Sequence, residues 1–232
     1  MIVKIKLLPQ EIIKSRLILL YITIGIIAGL IVIIVIPIIV FVIVGEPKYV
    51  RPLYNPYCTK PYKLKIYSND EISSKLEECG YKKNSELFNF VLEAVNTHNL
   101  LRACHNAQPL LPNCEIMKIS QDYAETMPSG HSEPKYHGDW MGENLFWGWG
   151  YENLSGDFPV NEWYSEIVNY DFKTSKSKGL VTGHFTQVVW KASSQVGIGF
   201  YCEGRECCVV GNYYPAGNYY NEYSTQVQDF RK

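Results

Sequence analysis

"TGHFTQVVW", Thr182 to Trp190, decides how the second half of the chain is read. Aromatic and β-branched residues crowd together there, as they do in strands, and the stretch predicts a strand. It also begins with an imidazole, His184, directly after Gly183, and a strand pattern gives no reason for one. The reading adopted is that Gly183 leaves room for close approach, so that His184 enters the open end of a sheet. The next two stretches, "QVGIGFYC" (Gln195–Cys202) and "CCVVGNYY" (Cys207–Tyr214), show a period of two more openly. All three read as strands of one antiparallel sheet joined by short turns. Gly197 and Gly199 alternate with Val196, Ile198 and Phe200. One strand face is therefore nearly bare, which predicts a helix packed close against it.

Upstream the period becomes helical. "SELFNFVLEAVNTHNLLRACH" (Ser85–His105) places Leu87, Val91, Ala94, Val95, His98 and Leu101 on one stripe, with Ser85 as the N-cap. His98 on that stripe predicts packing plus a backbone partner. "CEIMKISQDYAETM" (Cys114–Met127) repeats the spacing, and in "VNEWYSEIVNYDF" (Val160–Phe172) Trp163, Ile167 and Tyr170 share a face. Glu162, one turn before Glu166, reads as a solvated flank. Helices first and a sheet afterwards predict a layered α+β domain.

Before this domain the chain is of another kind. Leu17 to Val44 is a run of 28 uncharged, Ile- and Val-rich residues. A bilayer core takes roughly 20 apolar residues, so the run predicts one transmembrane helix, with Pro37 able to bend it. It is too long for the apolar core of a cleaved signal peptide. Lys4, Lys6, Lys14 and Arg16 precede it, against one acid, Glu11. The positive-inside rule then sets the N-terminus in the cytoplasm and the C-terminal domain outside the cell or in a lumen. The chain is thus divided into a basic tail (1–16), a span (17–44), a Pro-rich stalk or extension (45–84) and a folded domain (85–232). A formal net charge of −1 argues against a nucleic-acid partner.

All seven cysteines, Cys58, Cys79, Cys104, Cys114, Cys202, Cys207 and Cys208, lie beyond the apolar run, as an oxidising compartment would have them. An odd number leaves one thiol free or paired between chains. "EGRE" reads as a turn, so Cys202 could bridge Cys207 or Cys208. Asn153-Leu-Ser155 is a glycosylation sequon.

Four stretches, "GENLFW", "WYSEIVNYDF", "GHFTQVVWKAS" and "NYYPAGNYY", occur in that order. They resemble the CAP superfamily of cysteine-rich secretory, antigen 5 and pathogenesis-related proteins, and most of all its Golgi-associated plant pathogenesis-related branch. The similarity covers about Glu86 to Tyr223. It implies a three-layer α-β-α sandwich and a cavity built from two histidines and two glutamates. By motif these are His184 of "GHF", Glu143 of "GEN", Glu166 of "WYSE" and, ahead of "GEN", His131. His137 also lies between His131 and Glu143 and competes for that place. Where many secreted members have a cysteine before the Asn of "NYYP", this chain has Gly211, so their usual disulfides are not carried over.

Imidazoles beside carboxylates suit zinc or another divalent cation, with His131 and His184 the candidate ligands and Glu143 and Glu166 assisting. They equally suit acid–base chemistry, or a hydrogen-bonded cluster that locks sheet to helices. No cofactor is required by the reading. Ser132, Ser165 and Thr186 lie near the motifs, but none sits in a nucleophile elbow, so no catalytic residue is assigned. In some family members the loop after the third helix is implicated in sterol or lipid binding; here Tyr170, Phe172 and Lys173 are the matching candidates. The tyrosines of "YYPAGNYYNEY" are expected to cover the sheet end with their hydroxyls reaching water. The functional expectation is a membrane-anchored binding module for a lipid, sterol, glycan or protein partner, with homodimers known in the similar branch. A metal-dependent hydrolase and a purely adhesive ectodomain are the alternatives.

Overall fold

The structure, a computed structural model, describes residues 67–151 and 153–229. The apolar run at 17–44, the basic tail and most of the stalk lie outside the described residues. All the described residues belong to the second of two compact units of the chain, Asn55–Lys232. Among the described residues no helix is long and apolar enough to cross a membrane.

The elements, in order, are α1 (Asn69–Glu78), α2 (Glu86–Cys104), β1 (Leu111–Pro112), α3 (Cys114–Ala124), β2 (Lys135–Tyr136), β3 (Asp139–Trp140), β4 (Gly142–Trp149) and α4 (Asp157–Ser165). A 3-10 turn (Glu166–Asn169) follows, then β5 (Tyr170–Asp171), β6 (Lys176–Ser177), α5 (Gly183–Val188), β7 (Gln195–Glu203), β8 (Glu206–Tyr214) and α6 (Tyr223–Gln226). The main sheet has the order β1-β7-β8-β4, antiparallel except where β1 joins β7.

Register sorts the side chains. Gly197 pairs with Asn212, which pairs with Glu143; Gly199 pairs with Val210, which pairs with Leu145. These face α3. Ile198, Gly211 and Asn144 form the neighbouring rung, with side chains toward α2 and α4. The layers are therefore α3, sheet, and α2 with α4. On the bare face a Cβ at Gly197 would lie 2.4 Å from the Ile116 carbonyl oxygen, and one at Gly199 2.1 Å from that of Ser120. The predicted close helix is α3. On the other face Gly211 lets the Trp163 ring sit where a Cβ would come within 3.3 Å of it.

Three expectations are corrected here. The stretch at Thr182 is not a strand: Gly183–Val188 is helix α5. Its residues from Phe185 to Trp190 are all buried, at 0–1% exposure. No alternation exists, and the strand-like composition reflects burial on every side. Nor does Gly183 serve close approach, since a Cβ there would meet nothing nearer than 3.9 Å. The third concerns the extension, whose end is not irregular but forms α1. Its capping box is complete: Ser68 Oγ accepts from Glu71 N at 3.2 Å and Glu71 Oε2 accepts from Ser68 N at 2.7 Å. Ile72 and Leu76 enter the core, and a Cys79–Cys114 disulfide ties α1 to the start of α3.

Cys202 bridges Cys207, and Cys208, on the α3 face, is a buried free thiol. The third predicted helix is shorter than expected: it turns 3-10 at Glu166 and becomes strand β5 at Tyr170.

Candidate functional site

Two carboxylates organise the site. Glu143 is the second residue of β4, and its side chain is only 5% exposed. A buried carboxylate needs donors, and Glu143 has four. Oε1 accepts from His131 Nδ1 (2.9 Å) and Ser132 N (2.8 Å). Oε2 accepts from the Ser132 hydroxyl and from Asn212 Nδ2 (3.4 Å). Asn212 is fixed in turn by Ser120 of α3, whose Oγ lies 2.8 Å from Asn212 Oδ1. His131 is thus the histidine of the pair. His137 lies instead 4.0 Å from Glu115 and packs on Tyr136.

Glu166 begins the 3-10 turn after α4 and reaches the start of α5. Its Oε2 accepts from the backbone N–H groups of His184 (3.0 Å) and Phe185 (3.2 Å), which an α-helix leaves unpaired in its first turn. Its Oε1 accepts from His184 Nδ1 at 2.7 Å. One side chain caps the helix and aims its imidazole. Glu162, a turn earlier, is exposed, as expected.

Both imidazoles meet an acceptor-only carboxylate through Nδ1, so in each of them Nδ1 carries a proton. The two pairs are neighbours across the first residues of β4. Asn144, next to Glu143 but on the opposite face, donates from Nδ2 to the His184 carbonyl (3.1 Å) and to the Tyr213 hydroxyl (3.2 Å). Tyr213 OH donates to His98 Nε2 (2.8 Å), and His98 Nδ1 donates to the Ala94 carbonyl (2.8 Å). The expected backbone partner of His98 is Ala94. Burial pushes the His98 imidazole down to about 4. Tyr213 is wholly buried, so its hydroxyl does not reach water as expected.

Sequence reasoning missed Arg102. It lies four residues after His98 on the same inward stripe, which was the available signal. Fully buried, it donates to the carbonyls of Val188 (2.9 Å), Trp190 (2.8 Å), Ser193 (2.6 Å) and Gln108 (2.8 Å). Val188 and Trp190 close the far end of α5. The helix that presents His184 is therefore held at one end by a carboxylate and at the other by a guanidinium. Burial pulls the guanidinium down to about 9. Four carbonyl acceptors keep it cationic at neutral pH nonetheless.

Ser132, Asn144 and Asn212 also belong to the site and carried no sequence signal beyond adjacency to the motifs. The Ser132 hydroxyl donates to a carboxylate, not to an imidazole, so it has no base of the kind a nucleophilic serine uses. Thr186 is likewise occupied, donating to Asn218 Oδ1 at 2.6 Å.

The lipid-loop candidates are corrected in part. Tyr170 is 3% exposed, and Phe172 packs on the core against His105 and Phe185. These rings are structural. The β5–β6 hairpin and its exit expose Lys173, Lys176 and Lys178 with Leu180 and Val181, next to Val168 of the 3-10 turn that leads into β5.

As to metal, the site offers two imidazole nitrogens on separate elements. Among the described residues no group of three or more His, Cys, Asp or Glu side chains is placed to hold an ion. Zinc takes three or four protein ligands, so the residues as arranged do not fit a resident zinc.

The family model described as the cysteine-rich secretory protein family, CAP, matches residues 95–213. Pathogenesis-related protein 1 of Arabidopsis thaliana is 36% identical over 129 residues, 55% of this chain and 78% of that protein. The Golgi-associated plant pathogenesis-related protein 1 of Homo sapiens is 36% identical over 149 residues, 62% of this chain and 92% of that protein. Among solved structures, venom allergen-like protein 4 of Schistosoma mansoni aligns with a TM-score of 0.47 at 18% identity, covering 54% of this chain and 87% of that one. With that family match spanning half of its length, the chain belongs to the cysteine-rich secretory protein (CAP) family.

Proposed function

We propose that this CAP domain is a membrane-tethered binding module on the non-cytosolic side of its membrane, and that its β5–β6 hairpin engages an anionic lipid surface. The observation that carries the reading is the composition of that hairpin and its flanks. Val168, Leu180 and Val181 are each more than half exposed, beside three exposed lysines. The one acid there, Asp171, is occupied by Lys173 N (2.9 Å) and the Thr174 hydroxyl (3.0 Å). Exposed aliphatic groups beside exposed lysines, of which Lys178 donates to the Val168 carbonyl at 3.0 Å, suit an anionic head-group layer, at about 1 kcal/mol per lysine near the surface. The 28-residue apolar run would hold the domain close to such a layer. The hairpin leads directly into α5, so a ligand held there would lie beside the His184–Glu166 pair.

A binding role also suits the carboxylates. Each is saturated with donors and serves to orient an imidazole. The test is hydrogen exchange of the full chain in nanodiscs. Exchange over 173–181 is expected to slow severalfold when phosphatidylserine is included, and not when Lys173, Lys176 and Lys178 are all changed to glutamine. Equal exchange in phosphatidylserine and pure phosphatidylcholine discs would refute the hairpin's role.

A further inference from the structure

We infer that Asn153 is a glycosylation site whose first sugar rests on the ring of Tyr151. The inference depends on the non-cytosolic placement proposed above. Asn153-Leu-Ser155 is the only Asn-X-Ser/Thr triplet in the sequence. Its asparagine is exposed, in a bend between β4 and α4. Both flanks of the bend are anchored. Gly150 N donates to the Arg205 carbonyl at 2.8 Å, and Gly156 N donates to Glu93 Oε2 at 3.1 Å. Gly156 also sits where a Cβ would lie 1.9 Å from the Phe90 carbonyl oxygen. The acceptor is thus held out from a fixed base, outside any helix or strand ladder.

The second observation is the aromatic residue two places earlier. The Tyr151 ring lies on the backbone of Gly148, where a Cβ would come within 2.6 Å of two ring carbons. Phe146 and Phe158 meet it at centroid distances of 6.1 and 5.2 Å. Its orientation is set by packing, yet the residue remains 37% exposed. The part of the residue not covered by Gly148, Phe146 and Phe158 faces solvent beside the bend. An N-linked N-acetylglucosamine presents an apolar face of C–H groups. Such a face suits the electron-rich face of an aromatic ring, and two residues is a short reach for the linkage. Oxidised Cys79–Cys114 and Cys202–Cys207 pairs agree with the compartment in which the transfer occurs.

In that transfer the Asn153 Nδ2 attacks C1 of the first sugar of a polyprenyl-diphosphate-linked oligosaccharide. The C1–Nδ2 bond forms and the C1–O bond to the diphosphate breaks. The polyprenyl diphosphate leaves with the bonding electron pair, and the amide proton passes to a base of the transferase. No electrons are gained or lost.

The test uses the full chain expressed in cells that perform N-glycosylation. One endoglycosidase-sensitive step in mobility is expected, and it should vanish in Asn153→Gln. To separate topology from site, Lys173→Asn in the Asn153→Gln background places a new Asn-Thr-Ser on the exposed hairpin. Modification there, with none at Asn153 in the parent chain, would overturn the assignment while leaving the topology standing. Modification at neither would overturn both. For the sugar contact, enzymatic removal of the glycan is expected to lower the melting temperature of the parent by about 2–4 °C. The drop should persist in Tyr151→Phe and disappear in Tyr151→Ala. An equal drop in Tyr151→Ala, or none in the parent, would overturn the contact.

Discussion

Replacing Glu166 tests the claim that one carboxylate both caps α5 and aims His184. Glu166→Ala removes three hydrogen bonds at once, to His184 N, Phe185 N and His184 Nδ1. Loss of a helix cap costs about 1 kcal/mol, and loss of a bond to a charged group about 1.5–3 kcal/mol. With one partner left exposed enough to rehydrate (the His184 side chain is 29% accessible), the total is about 2–3 kcal/mol, or roughly 5–10 °C in melting temperature. Glu166→Gln separates the two roles. Its amide oxygen can still accept from the backbone N–H groups, so it should cost about 1 kcal/mol or less. Its NH2 would face His184 Nδ1, however, and donor would meet donor. The imidazole must then move its proton to Nε2. Nitrogen NMR of histidine-labelled protein reads the tautomer directly, and thermal melts read the stability. If Gln destabilised as much as Ala, or left the proton on Nδ1, the dual role would be refuted.

Two further outcomes follow from the core. Burial lowers the His98 and His105 imidazoles to about 4, and both are neutral in the fold. The unfolded chain, with histidines near 6.5, therefore binds more protons between those values. Stability is fully present above about pH 6.5 and falls as the pH drops toward 4, by about 1.4 kcal/mol per pH unit for each histidine. Urea melts from pH 7.5 to 4.5 should show that slope, and a flat profile above pH 5 would contradict it. Gly199→Ala should cost at least about 2–3 kcal/mol, because the new Cβ would lie 2.1 Å from the Ser120 carbonyl oxygen and α3 would have to lift. A melting temperature within a degree of the parent would show that α3 packs less closely than described.

How far the sequence could be read differed from element to element. The glycines of β7 gave the close approach of α3, because an absent side chain leaves a gap that something must fill. His98 was legible for a similar reason, since a polar residue on an apolar helical stripe must find a partner inside. The capping box at Ser68 and Glu71 was present in the sequence, yet the prolines upstream gave the whole segment the look of a stalk. Helix α5 was misread because periodicity reports a boundary between core and solvent, and Phe185 to Trp190 touch no solvent. Tyr170 and Phe172 were assigned to the surface by analogy with a loop, while the fold turned their rings onto His105 and Phe185.

The sequence by itself determined the family, the helical stripes, the bare face of β7 and three of the four side chains of the two His–Glu pairs, Glu143, Glu166 and His184. Each of these depends on local spacing or on motifs that survive in linear order. Only the tertiary structure decided that His131 rather than His137 meets Glu143, that Glu166 caps the helix bearing its own histidine, and that Arg102 closes the other end. Those contacts join residues 12, 18 and 86 positions apart. A chain brings such residues together only when buried carboxylates, a guanidinium and orphaned helix-end groups must satisfy one another in a shared interior.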